Sequence, residues 1–127
     1  MKLSDEKRED LFALVQRLGE MEPGELKSHF KEDVLASLRL AAEQLRDGLV
    51  VERYLSERRF VEIVRELHET MRIWSGRLEQ TLQSAGEASA GGDARRAIWI
   101  LRGFAKFCPS AHYRSVAEEA ASSYEKE

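Results

Sequence analysis

Phe60, Val64, Leu67, Met71, Trp74 and Leu78 follow one another at spacings of four, three, four, three and four. That alternation keeps an apolar seam on one side of a helix. A strand cannot use it, because successive strand residues point to opposite faces. The spacing predicts a helix from about Ser56 to about Gln83, roughly 40 Å long at 1.5 Å per residue. A compact fold of this size needs less, so part of the helix is expected to pack against another molecule. Phe60, Val64, Leu67, Met71 and Trp74 are its candidate interface residues, with Met71 and Trp74 near the centre of the seam and Arg72 and Arg77 at its rim.

The rest of the chain carries the same period. Ser4 is placed to cap a first helix whose stripe is Leu11, Leu14, Val15 and Leu18, ended by Gly19. Pro23 suits a first helical position, and Leu26, Phe30, Leu38, Ala41, Ala42 and Leu45 trace a face down to Gly48, either as one long helix or as two pieces broken near Asp33. "SAGEASAGGD", residues 84–93, reads as a flexible connector over 84–92 that ends in the cap Asp93. A fourth helix follows as far as Phe107, and a last one carries Tyr113, Val116, Ala117, Ala120, Ala121 and Tyr124 on one stripe. The expected fold is all-α: a single domain of residues 1–127, a bundle of four to five helices around one long one.

Composition narrows the function classes. A formal charge of -3 gives no global field to recruit nucleic acid or an anionic membrane. No apolar run approaches the roughly 20 residues that span a bilayer, and the opening "MKLSDEKRED" has no signal-peptide core. The single cysteine, Cys108, excludes an internal disulfide framework and fits a reducing compartment. A cytoplasmic protein without a membrane partner is expected.

Residues 98–101, Ile-Trp-Ile-Leu, are four large apolar side chains in succession, and they sweep about 300° around a helix. The helix must therefore be covered on more than one side. Ala94, Ala97, Ile98, Leu101, Ala105 and Cys108 are expected to face one neighbour, and Ile100, Phe104 and Phe107 a second. Trp99 has two places open to it: a gap in the core, or an exposed patch that another chain covers. Gly92-Asp93, Ala97, Phe104 and Pro109 stand at the spacing of the turn, small positions and closing proline of a second helix in a tetratricopeptide repeat, which this one helix resembles. Such repeats need about three copies to bury a continuous core, so the resemblance implies no peptide groove here.

No catalytic or cofactor constellation assembles. Glu25, His29 and Asp33 fall four apart, a spacing open to a metal but more economically a solvated face. "LHETMR" starts like a helical zinc site, but Arg72 stands where its second histidine belongs. Cys108 lies at a helix C-terminus, where thiolate is disfavoured. The expectation is a non-enzymatic protein-interaction or oligomerisation module without cofactor or metal, a homodimer or part of a hetero-complex, with Trp99 as a further interface residue. The alternative is an accessory nucleic-acid-binding subunit using the basic edge Arg95, Arg96, Arg102, Lys106 and Arg114. In that alternative Pro109-Ser110-Ala111 is a helix-turn-helix turn and residues 112–115 face the groove.

Overall fold

The computed structural model describes residues 3–126, and no strand occurs among them. Helices follow in the order α1 (Asp5–Gly19), α2 (Pro23–Lys27), α3 (Glu32–Leu45), α4 (Glu57–Ala90), α5 (Ala94–Phe107) and α6 (Ala111–Glu125). The all-α class is as expected, with six helices where four or five were anticipated. The additional element arises after Pro23, where residues 28–31 form a break. There the Ser28 hydroxyl donates to the Glu25 carbonyl at 2.6 Å, the kind of local bond by which serine competes with the helical ladder. Phe30, released from the helix, meets Phe60 with ring centroids 5.4 Å apart.

α4 accounts for the seam differently from the sequence expectation. It has 34 residues, about 51 Å of helix, and the chain divides between Thr70 and Met71 into two compact units. Each half of α4 belongs to its own unit, so the surplus length serves a second core of the same chain.

In the N-terminal unit, Leu11, Val15, Leu18, Leu26, Leu38 and Leu45 are buried together with Phe60, Ile63, Val64 and Leu67 of α4. Ser4 caps α1 by accepting from the Lys7 amide at 3.2 Å. At the other end of α1, Arg65 of α4 donates to the carbonyls of Gly19 and Met21 at 2.9 and 3.0 Å, a cation on the negative helix terminus. Gly19 is required there, because a Cβ would fall 2.2 Å from His68 Cγ and 2.6 Å from its Cβ. These are near-backbone atoms that cannot swing away. Gly19→Ala is expected to cost about 1–3 kcal/mol, read as a lower denaturation midpoint; an unchanged midpoint would mean that α1 and α4 do not approach this closely.

The 46–56 loop is held by two arginines. Arg39 donates to the carbonyls of Glu52 and Arg53 at 3.0 and 3.1 Å. Arg59 donates to the Val50 carbonyl and to both Glu52 carboxylate oxygens, each at 3.1 Å, which holds that carboxyl below its ordinary pKa.

The C-terminal unit is built from residues 71–90 of α4 with α5 and α6. Its core is alanine-rich: Ala85, Ala97, Ala105, Ala117 and Ala121 are buried with Leu78, Leu101 and Tyr113, and such small side chains permit close helix approach. The connector expected over 84–92 is instead helical to Ala90. Alanine and glutamate favour helix, and the burial of Ala85 ties the segment down. The turn shrinks to Gly91-Gly92. The Asp93 amide donates to the Ala88 carbonyl and the Gly92 amide to the Ser89 carbonyl, both at 2.9 Å. This is a Schellman ending, with Gly92 at a φ of 90 that only glycine adopts readily. Asp93 then caps α5 by accepting from the Arg96 amide at 3.0 Å.

Candidate interaction face on helix α5

Leu101 and Ala97 point α5 into its unit, and burial of that stripe fixes what the opposite side shows. Trp99 is 73% exposed and Phe107 76%. They stand at positions 99 and 107 with Gly103 midway, one i, i+4 ridge of the helix. A Cβ built on Gly103 meets nothing within 4 Å, so the glycine leaves an open notch between two aromatic side chains. Arg95, Arg102 and Lys106, all exposed, flank the ridge on one side, within about 40° of arc. Arg96 is exposed beyond the notch. On the other flank, half-buried Ile100 and Phe104 join Arg77, Gln80, Thr81 and Ser84 of α4 around a groove of about 400 Å³.

The face departs from local helix preference at three points. Arg95 and Arg96 occupy the first turn of α5, which holds no acid, although the positive helix end disfavours cations there. Gly103 sits in a helix interior, where alanine is about 1 kcal/mol better, and nothing in the chain uses its missing side chain. Two large aromatic residues are left in solvent. Such departures concentrate where a sequence answers to something other than its own stability.

The ion pairs on this face are few. Among the described residues no carboxylate pairs with Arg95, Arg96 or Lys106; Lys106 Nζ lies 5.7 Å over the Phe107 ring. Arg102 pairs with Glu125 of α6. Arg114 is part-buried and donates to the Cys108 carbonyl at 2.9 Å. The basic edge anticipated over residues 94–114 therefore narrows to the cations of α5.

The interface candidates on α4 are mostly internal. Phe60, Val64 and Leu67 have no accessible surface, so an intermolecular seam through them is excluded: they fill the N-terminal core. Met71 and Trp74 are half-buried. Trp74 meets Phe104 edge-on at 5.8 Å and lies beneath the Arg77 guanidinium at 4.7 Å, partners within its own unit. The core alternative for Trp99 is also overturned. Periodicity leaves its side open, because Ala97, Leu101 and Ala105 already supply the buried stripe.

Other constellations disperse. Glu25 lies on α2, His29 in the break and Asp33 on α3, so they share no helix face, and no group of three or more metal-binding side chains occurs among the described residues. At the start of α6 Tyr113 is buried, which removes it from a groove-facing position. Burial pushes its phenol up to about 12, only partly opposed by a hydrogen bond with Ser75. In the unfolded chain the phenol ionises near pH 10. Its stabilising contribution is therefore complete below about pH 10 and lost as pH rises through about 12. Tyr113→Phe should fall less steeply than the wild type in denaturant-measured stability across that interval; equal slopes would show the phenol titrating as it does unfolded.

Compared with known protein families, with curated proteins and with solved structures, the chain matches none. Among the described residues no helix is long and apolar enough to cross a membrane.

Proposed function

We propose that this chain is a non-enzymatic protein-interaction module, an adaptor or small subunit, whose docking face is the outer side of α5. The observation that carries the reading is the exposure of Trp99, a residue 73% accessible and of the type that anchors interfaces. Phe107 and the surrounding cations extend the patch. Self-association through this face is opposed in the antiparallel arrangement, where an isologous contact sets the cationic flank of one copy against that of the other. A foreign protein is the favoured partner.

The nucleic-acid reading draws on the same cations. Against it, Arg102 is already paired with Glu125 and Arg114 is turned to the Cys108 carbonyl, so too few free cations remain on the edge to supply the affinity that nucleic-acid binding draws from neutralised phosphates. A photoreactive phenylalanine analogue at position 99 of the full chain, activated in the native cell, tests the reading. A discrete protein adduct is expected from position 99 and none from position 9, an exposed site on α1. Adducts to nucleic acid alone, or none from position 99, would overturn it.

A further inference from the structure

The Trp99, Gly103, Phe107 ridge has a shape that specifies more than a generic greasy patch. A glycine between two exposed aromatic residues lets a second backbone come close at one point while the aromatic rings close over it on either side. Gly103 has no internal reason to be glycine, since its Cβ position is open and its helical neighbours would be stabilised by a side chain there. The charge is concentrated on one flank, where Arg95, Arg102 and Lys106 lie together, while on the other Ile100 and Phe104 offer apolar surface in a groove that Arg77, Gln80, Thr81 and Ser84 of α4 make otherwise polar. An occupant complementary to both flanks carries acids along one edge and an apolar stripe beside them, with a small residue at the crossing.

We propose that α5 receives an acidic amphipathic helix of another protein, crossing at Gly103 with its small residue in the notch, its apolar stripe over Trp99, Phe107 and the α4–α5 groove, and its carboxylates against Arg95 and Lys106, the cations of the flank that Glu125 leaves open. This rests on the reading of α5 as the docking face and names the partner's chemistry. A second copy fits less well. The outer face of its α6 offers Ser115, Glu118, Glu119 and Ser122, which supply charge and small size but no apolar side chain to cover the two aromatic residues. Cationic groups around an anchoring aromatic favour an acidic partner by steering and by excluding basic ones.

The test uses the full chain and three synthetic helices of about 18 residues, roughly 27 Å long. All three share a leucine stripe and a central alanine; their edge residues are Glu, Gln or Lys. Binding is read by calorimetry and by the emission of Trp99 against a Trp74→Phe background. The Glu helix is expected to bind at least about tenfold tighter than the Lys helix, with the difference shrinking as salt rises. Gly103→Ala is expected to raise the melting temperature by a few degrees and yet weaken the Glu helix about tenfold or more, a combination that a purely structural glycine does not produce.

Equal binding of the three helices, or an affinity indifferent to Gly103→Ala, overturns the acidic-helix inference. So does failure of the Glu helix to bind at all. In each case the position 99 crosslink still decides the docking face by itself. Sedimentation of the chain alone showing assemblies abolished by Arg95→Glu would make a second copy the occupant. Displacement of the Glu helix by a single-stranded oligonucleotide at equal concentration would make the occupant a nucleic acid. Either result overturns the inference.

Discussion

Phe60→Ala is expected to remove about 3–5 kcal/mol from the N-terminal unit, the range for truncating a buried phenylalanine. The side chain is fully buried and its ring lies against Phe30, so alanine forfeits the transfer term and leaves a cavity beside that ring. Domains have only about 5–15 kcal/mol in total, so the loss approaches global unfolding of that unit. Hydrogen exchange reads it by location: amides of α1 and α3 lose protection, while those of α5 and α6 in the C-terminal unit keep theirs. The effect is independent of protein concentration, as an internal core residue requires. A concentration-dependent loss would return Phe60 to an intermolecular seam, and equal loss in α5 and α6 would show that the two units melt as one.

That same residue shows what the sequence revealed and where it stopped. The four-and-three spacing from Phe60 to Leu78 identifies a long helix with an apolar seam, and the structure contains it as α4. Periodicity reports that a face is buried and not which molecule buries it. Two small cores in succession along one helix leave the same pattern as one core plus a foreign partner. The segment over 84–92 misled for a related reason. Ser, Gly and Ala signal a flexible connector when counted, yet Ala85 is buried, and one tertiary contact of that kind outweighs a composition. The break at residues 28–31 was legible only as an alternative, since Leu26 and Phe30 keep the helical spacing across it. Candidate chemistry was legible mainly by exclusion. The two-sided covering anticipated for α5 is half right: Ile100 and Phe104 are half-buried, while Phe107 and Trp99 stand in solvent. Gly103 carries no signal in the sequence, because a lone glycine in a helix has no signature until the space around it is known.

Trp99→Ala is expected to separate binding from folding. With the residue 73% exposed, loss of the side chain is expected to change stability by no more than about 0.5 kcal/mol. Truncating an aromatic anchor at an interface costs about 2 kcal/mol or more, roughly thirtyfold in affinity. Leu101→Ala, two residues along and fully buried, should show the opposite balance, with about 2–5 kcal/mol of stability lost. Neutralising one cation, as in Arg95→Gln, should fall between them in binding, because an exposed ion pair contributes about 0–1 kcal/mol. Those outcomes would make the aromatic side chain the main source of affinity and the cations the selector of the partner. Denaturation midpoints and dissociation constants measured on the three variants place each residue on these two scales. A Trp99→Ala chain that binds its partner as tightly as the wild type would leave the exposed ridge of α5 without a role, because nothing in its own unit covers it.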